Sequence, residues 1–221
     1  MCVSIFFLRE EQGTISALLF CTIIFFLCNY LCIIFLVVKM RIVGGKYRSR
    51  LIDFPSDEKI TRPTKDMVRE GLFNALGETV FDSVVLDLFA GSGSLGLEAL
   101  SRGAKFAYFV DKSFDAIKVI KKNIMALDIT NSEIINSDYF SALENFKTKN
   151  ITLDIIFLDP PYKMNIIDEI VDYVIDYDIL SKNGIIVIET DYKVDLNDER
   201  FAKVKQYKYG KTFVTIKRRT L

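Results

Sequence analysis

Short apolar runs at residues 84–89, 105–110, 132–136, 153–158 and 184–189 alternate with stretches in which apolar residues return every three or four positions. Runs of this length between helical patterns predict buried strands joined by crossover helices, and so a mostly parallel sheet with helices on both faces. Ser113 is placed to cap a helix whose Phe114, Ile117, Ile120, Ile124 and Leu127 step at three and four residues, and this stripe is expected to be core. Thr64 to Leu76, closed by Gly77, form a further amphipathic helix ahead of the first strand, and Leu95, Leu97 and Leu100 mark another that ends at Gly103. Near the end of the chain, Lys203 to Tyr209 and Thr212 to Lys217 flank Gly210-Lys211 and predict a β-hairpin. There is no internal repeat, and no low-complexity tract beyond an apolar leader.

That leader breaks the pattern. No charge occurs from Gln12 to Val38, and Ile15 to Val38 is long enough to cross a bilayer as a helix, with Lys39, Arg41, Lys46, Arg48 and Arg50 holding the next domain on the cytoplasmic side. A cleaved signal peptide fits less well, because Arg9-Glu10-Glu11 is not a basic lead and no Ala-x-Ala site comes after it. The competing expectation is that translation begins at Met40 and residues 1–39 reflect the choice of start site. It is preferred because the composition changes at that methionine. The expected organisation is therefore an apolar segment at 1–39 and one domain at 40–221, of ordinary single-domain size, opening with a basic arm at 40–60.

Composition removes several classes of chemistry. Cys2, Cys21, Cys28 and Cys32 all lie in the leader, so the domain has no disulfide framework and no cysteine-based metal site. The chain has no histidine, which excludes a His base and His metal ligands, and no metal is expected. Lys+Arg 29 balance Asp+Glu 29, so the total charge does not mark a polyanion binder. The distribution is more telling: Arg41, Lys46, Arg48 and Arg50 cluster at one end of the domain, and Lys203, Lys205, Lys208, Lys211, Lys217, Arg218 and Arg219 at the other. Brought close to an active site, these would make a phosphate-contacting rim; otherwise they are a solvated surface.

Candidate chemistry stands at the strand ends. Asp159-Pro160-Pro161-Tyr162 comes directly after Ile155-Ile156-Phe157-Leu158. A strand ending this way delivers a carboxylate and rigid carbonyls to the carboxyl edge of the sheet, where open α/β sheets bind ligands. Two prolines remove two backbone donors, so the stretch offers acceptors with few competing N–H groups, and Tyr162 adds a flat face for stacking. Alone, Asp-Pro-Pro is as readily a strand stop. A second motif changes the balance: Val84-Val85-Leu86-Asp87-Leu88-Phe89 runs into Ala90-Gly91-Ser92-Gly93-Ser94-Leu95-Gly96, whose glycines let a ligand approach the backbone.

Gly91, Gly93 and Gly96 keep the dinucleotide G-x-G-x-x-G spacing, which leaves an NAD-linked oxidoreductase open. Two features oppose it. Asp87 would face a diphosphate unfavourably but suits a cationic cofactor, and Asp-Pro-Pro-Tyr has no part in hydride transfer. Asp111 lies about twenty residues beyond the first glycine, the spacing of a carboxylate that binds ribose hydroxyls; a helix-capping charge before Ser113 would look the same. Asp138 closes a third strand and could reach an adenine edge, or be an ordinary loop acid.

Taken together, Asp87 to Gly96, Asp111, Asp138 and Asp159 to Tyr162 resemble the ordered motifs of S-adenosylmethionine-dependent amino-methyltransferases. Met40-Arg41-Ile42-Val43-Gly44-Gly45-Lys46-Tyr47-Arg48-Ser49-Arg50, then Thr61-Arg62-Pro63-Thr64, Val68-Arg69-Glu70 and Phe73-Asn74, are similar to the start of the RsmD-type family. The resemblance runs over about residues 40 to 219, and Thr-Arg-Pro-Thr is its most discriminating part. It implies an α/β, Rossmann-like S-adenosylmethionine-dependent methyltransferase fold, with a mostly parallel seven-stranded sheet and an antiparallel C-terminal hairpin strand. The activity it implies is methylation of the exocyclic N2 amine of a guanine in bacterial 16S ribosomal RNA, with that RNA or the assembled small subunit as partner. It also implies a cytoplasmic monomer that meets a membrane only if residues 1–39 are translated.

On the same ground, cofactor contacts fall to Asp87, Phe89, Ala90, Gly91, Ser92, Gly93, Gly96, Asp111, Lys112, Asp138 and Tyr139, and catalysis to Asp159, Pro160, Pro161 and Tyr162. RNA contacts fall to Arg41, Lys46, Arg48 and Arg50, with Arg62, Pro63 and Thr64 at the active-site entrance. A DNA adenine-N6 methyltransferase uses the same Asp-Pro-Pro-Tyr chemistry, but the chain shows no separate DNA-recognition domain. A membrane-tethered protein that holds the cofactor without turnover is the remaining alternative.

Overall fold

A hairpin of β1 (Met40–Arg41) and β2 (Leu51–Ile52) precedes α1 (Arg62–Leu76), a 3-10 turn (Gly77–Val80), β3 (Val84–Asp87), α2 (Ser94–Ser101), β4 (Phe106–Asp111) and α3 (Phe114–Ala126). The chain continues through β5 (Ser132–Asn136), α4 (Tyr139–Thr148), β6 (Leu153–Leu158), α5 (Ile167–Asp176), β7 (Leu180–Thr190), β8 (Lys203–Tyr209) and β9 (Thr212–Arg218). This computed structural model describes residues 40–55, 62–161 and 166–219, the side chains of residues 62–65 excepted.

Seven strands form one sheet in the order β5-β4-β3-β6-β7-β9-β8. From β5 to β7 the pairing is parallel, and β9 enters antiparallel to both β7 and β8. This is the mostly parallel seven-stranded α/β sheet with an antiparallel C-terminal hairpin strand expected from the sequence. Chain order reverses between β3 and β6, so the loops after these strands diverge and open a crevice at the carboxyl edge.

Both sheet faces are covered, which is why the central strands read as unbroken apolar runs. Val85, Ile155, Phe157 and Val187 pack under the hairpin, α1, α2 and α3, while Leu86, Ile156, Leu158 and Ile188 pack under α4 and α5. Ser113 caps α3 by accepting the Ala116 N–H at 3.4 Å. Ile117, Ile120 and Leu127 are buried as the periodicity predicts, but Phe114 is 63% exposed, so it is not core. It stands in the first turn of α3, beyond the reach of the sheet, with Lys118 Nζ 4.8 Å from its ring centre.

The basic arm is a folded hairpin whose tip is clamped to the end of α2. Val43 N–H donates to Glu98 Oε2 at 2.8 Å, Lys46 N–H to the Ser101 carbonyl at 2.7 Å, and Tyr47 N–H to Ser101 Oγ at 2.9 Å. Among the described residues no helix is long and apolar enough to cross a membrane; the Ile15–Val38 span and the start-site expectation lie outside them.

Candidate active site

Three acids end up at the carboxyl ends of three adjacent strands. Asp87, the last residue of β3, is in register with Phe157 of β6, which pairs with Val187 of β7. Strand side chains alternate, so the residues two positions further on share that face. Those residues are Asp159, the first beyond β6, and Glu189, each one step past the pair Leu158–Ile188. All three acids line one cleft with Met40, Arg69 and Phe89, and its empty volume, counted out to solvent, is about 600 Å³.

Asp87 is buried, and its Oδ2 accepts the Gly96 N–H at 3.0 Å. Burial pushes this carboxyl up to about 7; the Gly96 bond pulls it back, and the charge of Asp111 adds to the rise. A buried acid poised near neutrality on an open cleft gains most from a cationic ligand.

The glycine loop is shaped by its φ angles, +51° at Gly91 and +78° at Gly93. Gly91 N–H donates to Asp111 Oδ2 at 2.8 Å and Ser113 N–H to Asp111 Oδ1 at 2.7 Å, so Asp111 ties the loop to the start of α3. An ionised carboxylate has further lone pairs to offer hydroxyl groups after these two bonds. Gly96 has a packing role. A Cβ there would lie 2.3 Å from Phe109 Cε1, so only glycine lets α2 close onto β4.

Asp138 is the N-cap of α4, with Oδ1 accepting from Phe140 N–H at 3.1 Å and Ser141 N–H at 3.0 Å. These bonds, Ser141's foremost, hold its carboxyl below the usual range. Tyr139 is half-buried with its ring 5.9 Å from that of Phe89, a cleft residue, while Lys112 is exposed. Pro160 is buried and Pro161 exposed; Tyr162 lies outside the described residues. Arg62, Pro63 and Thr64 form the first turn of α1, a position that suits proline because its missing N–H has no helical partner there. Among the described residues, no cluster of three or more His, Cys, Asp or Glu could hold a metal ion.

The family model described as conserved hypothetical protein 95 matches residues 40–218. The chain belongs to that family. It is 36% identical over 180 residues to YlbH of Bacillus subtilis, covering 80% of this chain and 97% of that protein. It is 37% identical over 153 residues to ribosomal RNA small subunit methyltransferase D of Escherichia coli, covering 69% of this chain and 75% of that one. The solved structure of Escherichia coli yhhF superposes with a TM-score of 0.73 at 31% identity, covering 82% of this chain and 98% of that one.

This member of the conserved hypothetical protein 95 family gathers Asp87, Phe89, Ala90, Gly91 and Asp159 around one cleft. Its basic residues are divided. Arg41 stands beside cleft residue Met40 and pairs with Asp66 at 3.4 Å, whereas Lys46 and Arg48 belong to the hairpin tip at the far end of α2, and Arg50 donates to the Ala126 carbonyl at 2.9 Å. The tail splits likewise. β9 runs antiparallel to β7, with Phe213 opposite Thr190 and Arg218 opposite Ile185, which puts Lys208 and Lys211 at the cleft edge and Lys203, Lys217 and Arg218 at the other. Lys217 is not part of any rim: it is 4% exposed, paired with Asp198 at 3.0 Å and 5.3 Å from the Phe201 ring centre.

The cleft also contains residues to which sequence reasoning gave no role, notably Met40, Arg69 and Glu189. A signal for Glu189 was present, since it closes an apolar run just as Asp159 does.

Proposed function

We propose that this protein transfers a methyl group from S-adenosylmethionine to the N2 amine of a guanine in 16S ribosomal RNA of the small ribosomal subunit, in the cytoplasm. One observation carries the reading: Asp87 and Asp159, on one face of neighbouring strands, line the same cleft as the glycine loop. The residues fit the cofactor. Asp87 offers a buried carboxyl to an ammonium group, the positive φ angles at Gly91 and Gly93 permit close backbone approach, and Asp111 keeps lone pairs for ribose hydroxyls. When bound, S-adenosylmethionine supplies an electrophilic methyl carbon on a sulfonium leaving group.

The protein's task is then to make a weak nucleophile attack. A guanine amine is a poor nucleophile because its lone pair is delocalised into the ring. Asp159 and the Pro160 carbonyl accept its two hydrogens and favour a pyramidal nitrogen with a directed lone pair. As positive charge grows on that nitrogen, the Asp159 carboxylate stabilises it and receives the surplus proton. Alignment and fixed acceptors supply the acceleration. Tyr162 stacks on the base, which leaves its own helical stack to enter. Lys208 and Lys211, at the cleft edge, meet RNA phosphates together with Arg41.

The test is radiolabelled methyl transfer to small ribosomal subunits from a strain lacking the modification, with N2-methylguanosine as the expected product. Methylation of adenine in DNA instead, or thermal stabilisation by NADH rather than S-adenosylhomocysteine, would establish one of the competing readings.

A further inference from the structure

We propose that Glu189 reads the N1–H of the target base and is the residue that restricts the site to guanine. The inference rests on the guanine-N2 reading above. Glu189 of β7 and Asp159, the first residue beyond β6, each follow the last paired residues of those neighbouring strands, Ile188 and Leu158, and both line the cleft. The Glu189 backbone is held in the ladder by β9, where it stands opposite Val214, one residue past the last β6–β7 pair, Leu158 with Ile188.

The chemistry of the base edge supplies the argument. Guanine presents two adjacent donors on its Watson–Crick edge, N1–H and the N2 amine. Adenine and diaminopurine set an acceptor nitrogen beside their amines. An ionised carboxylate only accepts, so it pairs with N1–H and repels an acceptor ring nitrogen. Neighbouring strands lie about 4.8 Å apart, which lets side chains from the two strands address neighbouring groups on one base. With Asp159 and Pro160 engaged on N2, Glu189 is the next acceptor along that edge. A site that hydrogen-bonds a substrate N–H rejects an analogue lacking it far more strongly than an apolar pocket rejects a misfit.

The experiment compares two substrates in two proteins. Small subunits are reconstituted with 16S ribosomal RNA carrying either guanine or 2,6-diaminopurine at the mapped target; diaminopurine keeps the 2-amine but offers N1 as an acceptor. Wild-type protein should prefer guanine by about 100-fold in kcat/KM, within the discrimination of a good base contact. Glu189→Gln, whose amide can accept from N1–H through its carbonyl or donate to an acceptor N1 through its NH2, should shrink that preference to under about tenfold. Its stabilisation by S-adenosylhomocysteine should match wild type, because Glu189 faces the base.

Wild-type activity on both bases within about threefold overturns the inference without needing any variant, as does a Glu189→Gln protein that keeps the full preference. No transfer to guanine subunits by wild type overturns the guanine-N2 reading itself and this inference with it, a result distinct from loss of discrimination alone.

Discussion

The buried Asp87 carboxylate accepts the amide hydrogen of Gly96 at 3.0 Å, tying the end of β3 to the first turn of the helix beyond the glycine loop. Burial outweighs this bond and raises the carboxyl to about 7, against 3.8 for a free aspartate. The folded protein therefore holds a proton that the unfolded chain releases between those values. The contribution of Asp87 to stability is greatest below pH 4 and is lost as pH rises toward 7. A cationic ligand favours the ionised form. S-adenosylhomocysteine, which keeps the ammonium, should bind more tightly as pH rises from 6 to 8, and Asp87→Asn should flatten that dependence; calorimetry across this range reads both.

Gly96→Ala tests the packing of α2 on β4. The new methyl would meet Phe109 Cε1 at 2.3 Å, a clash with a fully buried ring that cannot swing away. A loss of about 1–3 kcal/mol in urea unfolding is expected, and adding Phe109→Leu should recover part of it.

Arg69 and Glu98 form a buried charge pair, Nε to Oε2 at 3.5 Å, with the Arg69 Nη2 also bonded to Asp66 at 2.8 Å and Arg102 Nε bonded to Glu98 at 2.8 Å. Arg69→Met leaves the fully buried Glu98 with Arg102 and the Val43 N–H but without its second cation, and should cost about 1–3 kcal/mol. The double variant Arg69→Met/Glu98→Gln should cost less than the single one.

Much of this was legible in the sequence where a local signal was strong. The runs at 132–136 and 153–158 match β5 and β6 because polar or proline residues bound them sharply. β7 begins earlier than its apolar core, at Leu180, because Leu180 pairs with Leu153 ahead of a register shift, and Ser181, Lys182 and Asn183 fall in the irregular stretch before Ile185 pairs with Ile155. Phe114 fits the helical period but sits too close to the helix start to reach the core. The arm hairpin depends on Glu98 and Ser101, some fifty residues away, and nothing local announces it. Glu189 needed the β6–β7 register before its place beside Asp159 was visible.

The division of the tail gives a test of the RNA surface. Lys211 belongs to the hairpin tip at the cleft edge, and Lys203 pairs with Arg218 at the opposite edge. Lys211→Glu should weaken RNA binding and lower the salt slope by about one, while Lys203→Glu should leave both unchanged in filter-binding titrations.

Asp159 carries the central claim, because its carboxylate is the group said to hold the amine. The decisive measurement is single-turnover methyl transfer to guanine subunits by Asp159→Ala, made alongside its affinity for S-adenosylhomocysteine. Transfer should fall by about 1000-fold or more, as when a fixed polar group at a reacting centre is removed, with cofactor affinity within about threefold of wild type. A variant that binds cofactor normally and still methylates at near wild-type rate contradicts the account.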